Sequence, residues 1–458
     1  MALLIFSLSC DNNKLAPSRT MGTGFDSSQL PYISFSTDAE IVDEPKVPGE
    51  IFIYSERKEL LKSRMGIEYR GSTSRRLFPK KSYAIELKEI NGEDRDFDIF
   101  GFGEEEDWVL YGPYSDKTFM RNSLIYLLSN QIGVYAPETQ FVEVEVEGEY
   151  LGVYALIEKI KRGEERLPLE SLNPFVTDSE AITGGYILKI DKTSGDSGDS
   201  DWSGDALYSE RLGFRSNYSA YSNELDYPAF GDKRGEETYF LYEYPDRDDI
   251  SAAQKTYITN YIRAFEEALI EEDFNDEDRP YTEYIDVNSF ADYFILNELS
   301  ANPDGYRLST YMHKERGGKL KMGPIWDFNL AFGNDGRSRT NGWIYQYNQN
   351  YPGDLWLIHF WWDKLLQDPY FRSVVKERWF LHTNGRLGLN NVLDIIDQWS
   401  EYLTSNGAVD RNYDRWPVLG QPLPFNSFVG QSYADEIEYL SNWIVQRQVW
   451  MNQQIRSW

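Results

Sequence analysis

The sequence has one cysteine, three histidines and far fewer bases than acids, and each scarcity closes off a class of chemistry. A single cysteine allows no intramolecular disulfide and no cysteine-based zinc site. His313, His359 and His382 lie far apart, with no HxxxH or HxH spacing, so no histidine-ligated metal is written into the chain. A metal, if used, is a hard cation held by Asp, Asn and Glu oxygens. With 75 Asp and Glu against 46 Lys and Arg, the formal charge of −29 repels nucleic acid and anionic membranes. No stretch approaches 18 uninterrupted apolar residues, so none reads as a membrane span. What is plentiful is aromatic: 33 Tyr, 25 Phe and 13 Trp in 458 residues, enough for a large folded core.

The lone cysteine ends a short apolar run, MALLIFSLSC, and DNNKLAPS follows it. This resembles a bacterial lipoprotein signal, in which Cys10 is acylated and becomes the new N-terminus; an apolar N-terminal strand is the other reading. On the first reading residues 1–31 are signal and flexible tether. The protein is then exported to the outer membrane or cell surface, touching membrane only through lipid on Cys10.

Strand-like alternation starts at YISFST and GEIFIYSE, and RMGIEYRG and KKSYAIELKE bracket a turn rich in Ser, Thr and Arg. In DKTFMRNSLIYLLSNQIG the apolar spacing is helical, with Asp116 as the expected N-cap and Gly133 as the stop. TQFVEVEVEGEYLGVYALIEKI alternates around Glu147-Gly148 and predicts a hairpin. GGYILKIDKT adds a strand; residues 193–235 are loop-rich and acidic. A long amphipathic helix capped by Asp249 or Ser251 comes next, then a more apolar one ending at Asp304. From DLWLIHFWWDKLLQD onward the pattern is helical. Strands first and helices later predict an α+β body over 32–340, with a helical C-terminal portion, 341–458, packed on it.

Two acids stand in unlike settings. Asp304 sits in the turn NPDG after a helix, and Asp327 lies between Trp326 and Phe328, after what reads as a buried strand. The hairpin between them, closed by Gly317-Gly318, can return the chain so that both carboxylates converge. An aspartate in an aromatic slot needs a cation or several N–H groups. Spacing alone also admits the plainer reading, a turn closed by each acid. DSDWSGDALYSE places Asp199, Asp201, Ser203, Asp205 and Glu210 in an EF-hand-like Ca²⁺ register. Its flanks are not helical, which favours a solvated acidic loop. WLIHFWWDKLL, with Trp361 and Trp362, suggests either core or a glycan-stacking surface.

RGSTSRRLFPKKSYAIEL, DWVLYGPYSDKTFMRN, GEYLGVYALIEKI, GGYILKIDK, NPDGYRLSTYMHK and GPIWDFNLAFG occur in one order over residues 45–335. Together they resemble the spore-coat-protein-H (CotH) kinase family. The resemblance implies an atypical, reduced protein-kinase-like fold, its N-terminal region mostly antiparallel β and its C-terminal portion helical. It implies phosphoryl transfer from ATP with Mg²⁺ or Mn²⁺ to Ser or Thr of a protein substrate. By the same resemblance Asp304 orients the attacking hydroxyl and Asp327 holds the metal. Lys81, or its neighbour Lys80, contacts phosphate; Glu158 orients that lysine or the metal; and Arg70, Arg75, Arg76 and Arg121 are further anion contacts. RGSTSRRLFPKK holds five Lys and Arg in twelve residues, the charge concentration an acidic nucleotide binder needs. The pattern departs from active kinases at Ser309, where an Asn holding a second metal is usual. It departs again at Asn329, where a second acid is common. Both changes imply weaker metal binding. They leave open an alternative: a catalytically weak or inactive surface lipoprotein that binds glycan or protein.

Overall fold

Period-two alternation rolls the first part of the chain into a closed barrel. The computed structural model describes residues 30–56, 58–193, 208–230, 234–271, 274 and 278–458, so Cys10 and the EF-hand-like stretch from Asp199 to Asp205 lie outside the described residues. The strands are β1 (Tyr32–Thr37), β2 (Val47–Ser55), β3 (Lys58–Arg70), β4 (Ser82–Lys88), the two-residue pair β5 (Phe97–Asp98) and β6 (Glu104–Glu105), β7 (Asp107–Tyr111), β8 (Thr139–Val146) and β9 (Glu149–Glu158). All but β5 and β6 close in the order β1-β2-β3-β4-β7-β9-β8. The seam pairs β1 with β8 in parallel; every other barrel pairing is antiparallel. Closure leaves no open sheet edge.

Alternation divides the barrel's side chains between two cores. Trp108, Leu110, Val142, Val144, Tyr154 and Leu156 fill the interior. Their neighbours Val109, Phe141, Val153, Ala155 and Ile157 point outward into the larger core. The hairpin between β8 and β9 turns at Glu147 and Gly148, both at positive φ, as its two-residue loop demands.

A second sheet holds β10 (Tyr186–Ile190), β11 (Gly213–Arg215), β12 (Tyr239–Tyr244), β13 (Thr310–Lys314) and β14 (Leu320–Met322), in the order β11-β12-β10-β13-β14. Its pairings are all antiparallel. Helices α1 (Thr73–Leu77), α2 (Arg121–Gln131), α3 (Ala252–Ile270), α4 (Val287–Ser300), α5 (Tyr347–Asn350), α6 (Trp361–Leu365), α7 (Pro369–Thr383), α8 (Leu389–Ser405), α9 (Ala408–Arg415) and α10 (Tyr433–Arg456) complete the molecule. The fold class is α+β.

Two expectations change, and one open alternative closes. Asp116 is not the N-cap of α2, which starts at Arg121 behind Met120. It still serves that end through a loop: its Oδ2 accepts from the Arg121 N–H at 2.9 Å, and its Oδ1 takes the Arg121 guanidinium at 2.5 Å. The strand before Asp327 stops at Met322, because Pro324 has no N–H to give to a ladder. Trp361 and Trp362 are 1% exposed and belong to the core, so they offer no surface to a glycan.

The C-terminal helices reach back to the barrel. Arg411 of α9 grips Glu143 with bonds of 2.8 and 2.7 Å. Asn412 Oδ1 accepts from both the Val153 N–H and the Lys80 ammonium. That approach needs Gly152: at φ +98° a Cβ there would lie 2.4 Å from Asn412 Oδ1. Gly152→Ala is therefore expected to cost about 2 kcal/mol or more, from backbone strain and the displaced helix together. A urea-unfolding midpoint equal to that of the parent chain would contradict this.

Candidate active site

A cleft of about 1210 Å³ runs between the barrel and the second sheet. Barrel residues Arg70, Ala84, Val109 and Ile157 form one wall, and Ile187, Lys189, Tyr242 and Tyr311 of the second sheet form the other. Asp304, Asp327, Ser309 and Asn329 all line it. The hairpin of β13 and β14 does return the chain, and both acids face one space.

Asp304 follows α4, which ends when Ala301 turns left-handed at φ 44°. Its N–H donates to Asn302 Oδ1 at 3.2 Å, and its carboxylate takes the Arg307 guanidinium at 2.6 Å. Arg307 also donates to Trp356 O at 3.0 Å and lies 4.2 Å over the Tyr347 ring, so it sets the direction of Asp304 rigidly. Asp327 is fixed by its backbone. Its N–H donates to the Tyr126 hydroxyl at 3.0 Å, and the next N–H, of Phe328, donates to Asn122 Oδ1 at 2.7 Å. Both partners come from α2. Beside it the Trp326 ring stacks on the Tyr126 ring, 5.9 Å away, and also carries the Arg70 guanidinium, 5.3 Å away.

Backbone strain gathers here. Ala301, Tyr306, Ser309, Asp327 and Phe332 all have positive φ, five of the twelve such non-glycine residues described, and Phe425, a sixth, lines the same cleft. Aromatic side chains seldom adopt that conformation, and clustered strain marks positions the surroundings hold for function.

The Asp327 carboxylate has no hydrogen-bond or ion-pair partner among the described residues. Burial, then the like charges of Asp304 and Asp191, push its carboxyl up to about 7, against the pull of Lys192 and Arg70. The neutral carboxyl is thereby favoured, and a cation placed beside it would draw it back to the ionised form. Asp191, directly after β10, was not singled out in the sequence. It accepts a bond from the Ser309 hydroxyl at 3.4 Å, which places a third carboxylate beside the position where Ser309 replaces asparagine. The sequence signal was present in GGYILKIDK: an acid ending a strand whose five residues are all buried. Asn329 shares a hydrogen bond with the Tyr111 hydroxyl at the barrel's rim.

Several expected contacts lie elsewhere. Lys80 is 2% exposed and donates to Val153 O at 2.6 Å and Asn412 Oδ1 at 2.8 Å, inside the joint with α9. Lys81 donates to the Arg75 and Phe78 carbonyls, closing the C-terminal end of α1. Neither lines the cleft, because alternation turns one toward α9 and the other back on its own turn. Glu158 is 1% exposed, lies 3.0 Å from the Arg166 guanidinium and accepts the Glu138 N–H, so it orients no lysine of the cleft. Arg75 pairs with Asp43 at 2.6 Å, and Arg121 with Asp116. Of the five cations in RGSTSRRLFPKK only Arg70 reaches the cleft; the turn contributes Gly71, Ser72, Thr73 and Ser74 beside it.

Twelve Asp and Glu side chains line the cleft against nine Lys and Arg, so acids outnumber bases along its walls. Glu105, Glu106 and Asp107 also gather closely enough for a metal. Lys161 already serves all three, at 2.7, 2.7 and 2.8 Å. Among the described residues no lysine is shared in this way by Asp304 and Asp327.

No curated protein matches this sequence. Among solved structures, the Helicobacter pylori proinflammatory kinase CtkA is similar over 83% of this chain and 96% of its own. Its sequence identity is 12% and the TM-score 0.30, too loose a likeness to bear on fold or site. The model of the family described as CotH kinase protein matches residues 67–451, from the barrel strand that ends at Arg70 to the last helix. Both acids, the hairpin between them and the C-terminal helices all fall inside that match, and on its extent the chain belongs to the CotH kinase family.

Proposed function

We propose that the cleft binds a nucleoside triphosphate with Mg²⁺ or Mn²⁺, and that the protein transfers the terminal phosphoryl group to Ser or Thr of a protein, on a reduced protein-kinase-like scaffold. The observation that carries this reading is the unpartnered Asp327 carboxylate opposite an arginine-held Asp304 in one cleft. Phosphoryl transfer asks little covalent chemistry of a protein; it asks for in-line positioning and charge neutralisation. Asp327 would hold the metal, with Asn329 and Asp191 as further oxygen donors, an all-oxygen set that suits a hard cation. The metal would neutralise charge on the phosphates. Asp304, aimed by Arg307, would accept a hydrogen bond from the acceptor hydroxyl and take its proton as that oxygen bonds to the terminal phosphorus and the nucleoside diphosphate leaves with its bridging oxygen. The apolar end of the cleft, at Ile160, Ile187 and Tyr311, suits a flat base.

The surface-binding alternative loses its glycan platform with the burial of Trp361 and Trp362. Acylation of Cys10 and display at a cell surface are part of the proposal. They predict that Cys10→Ser abolishes incorporation of labelled palmitate.

The chemistry is tested by label transfer from γ-phosphate-labelled ATP to casein or to the protein itself. Transfer is expected from the parent chain, with loss of at least about 100-fold in Asp304→Asn. Equal labelling by the two would overturn the role given to Asp304.

A further inference from the structure

We infer that Asp354 is a positioning residue for the transfer: it keeps the buried Arg307 guanidinium neutralised while Asp304 changes its protonation, and Tyr347 holds the two together. The inference rests on the phosphoryl-transfer reading above. Asp354 lies beyond the sequence motifs, which end at residue 335, yet it lines the same cleft.

Arg307 is 3% exposed, too deep for water to neutralise its charge. Among the described residues it pairs with two carboxylates: Asp304 at 2.6 Å through Nη2, and Asp354 at 3.4 Å through Nη1. It also donates to the Pro303 and Trp356 carbonyls, which carry no net charge. In the proposed reaction the acceptor hydroxyl gives its proton to Asp304 as its oxygen bonds to the terminal phosphorus, and the nucleoside diphosphate leaves with the bridging oxygen. Asp304 is then neutral, and Asp354 is the carboxylate that still opposes the guanidinium. Were Asp304 the sole counter-charge, taking that proton would strand a buried cation, and Asp304 would resist it.

Asp354 is built to keep its charge. It sits in the loop between α5 and α6, where its Oδ1 accepts the Trp356 N–H at 2.9 Å and its Oδ2 accepts the Tyr347 hydroxyl at 2.6 Å. Burial works against ionisation, but the Arg307 guanidinium and the Tyr347 hydroxyl hold its carboxyl below the usual carboxylate range. The Tyr347 ring lies against the Arg307 guanidinium at 4.2 Å, so one residue fixes both partners. Arg337, paired with Asp335 at 2.9 Å, donates to the same hydroxyl at 3.4 Å. The cluster thus sets three carboxylates, of Asp304, Asp335 and Asp354, against two guanidiniums, and a proton arriving on Asp304 cancels the surplus charge. The loop is seated closely from behind: a Cβ on Gly235, ahead of β12, would lie 2.6 Å from the Asp354 carbonyl oxygen.

The test reads two quantities on the full chain: label transfer from γ-phosphate-labelled ATP to casein or to the protein itself, and calorimetric binding of a non-hydrolysable ATP analogue in MgCl₂. Asp354→Asn, nearly isosteric, should slow transfer about 10- to 100-fold and leave analogue affinity within about twofold, because the group it disturbs acts on the acceptor hydroxyl. Asp354→Glu, which keeps the charge, should recover part of the rate. Tyr347→Phe, which removes only the hydroxyl, should cost about 2- to 10-fold in rate, and this arm decides the matter if Asp354→Asn does not fold. A parental rate in the deciding variant, an equal loss of rate and analogue affinity, or Asp354→Glu no faster than Asp354→Asn overturns the assignment and leaves the phosphoryl-transfer reading standing. No transfer by the parent chain, or Asp304→Asn as active as the parent, ends that reading and this assignment with it.

Discussion

Asparagine at position 327 is expected to stabilise the folded protein while ending its chemistry. The Asp327 carboxyl rises from 3.8 to about 7 in the folded chain, so the fold holds this proton more tightly than the unfolded chain does. Between those values stability falls as pH rises. Above about pH 7 the ionised group costs the fold about 2–4 kcal/mol, the larger figure being the full shift and the smaller allowing for water in the cleft. Below pH 4 both states carry the proton and the penalty is absent. Asp327→Asn should therefore unfold later than the parent chain at pH 8, by several degrees, with the gap closing toward pH 4. A less stable variant at pH 8 would mean that the protein itself already compensates the carboxylate. The phosphoryl transfer proposed above should vanish in the same variant, the pattern of a residue kept for function at the expense of stability.

The second large effect lies far from the cleft. Glu298 of α4 and Arg447 of α10 form an ion pair at 3.0 Å with neither side chain exposed. Glu298 also accepts from the Ile344 and Tyr345 N–H groups and from the Tyr306 hydroxyl, two residues beyond Asp304. Arg447 donates further to the Glu298 and Gly342 carbonyls. Every partner is used, so removing one leaves a buried charge with nothing to meet it. Arg447→Met is expected to cost about 3–5 kcal/mol in urea unfolding. Arg447→Met with Glu298→Gln should regain part of that, because the stranded charge is gone. Equal costs for single and double variants would show that the loss is one of packing alone. The pair also ties the C-terminal helix to the loop of Asp304, which explains why those helices belong to the same body as the cleft.

Much of this was legible in the residues. Alternation marked the barrel strands, and Glu147-Gly148 marked their tightest turn, because those signals are local. Ser251, one of the two caps offered by the sequence, caps α3 in a reciprocal pair with Gln254. Asp304 and Asp327 could be chosen because a turn acid and an acid between aromatics each pose a problem readable without coordinates. Lys80 and Lys81 could not be placed: alternation says they part, but the acceptor that takes Lys80 is Asn412, 332 residues on. Asp191 was hidden for the same reason, its partner Ser309 being 118 residues away. The aromatic helix at Trp361 and Trp362 read more readily as core than as a glycan surface, although helical spacing does not say which side another element will cover.

The central claim, that acids 23 positions apart serve one metal-nucleotide cleft, is tested most directly by titrating Mn²⁺ with a non-hydrolysable ATP analogue and reading bound manganese by its paramagnetic resonance. The account predicts about one ion bound per chain, dependent on the analogue, and lost in Asp327→Asn. Unaltered manganese uptake in that variant, or none in the parent chain, would contradict it.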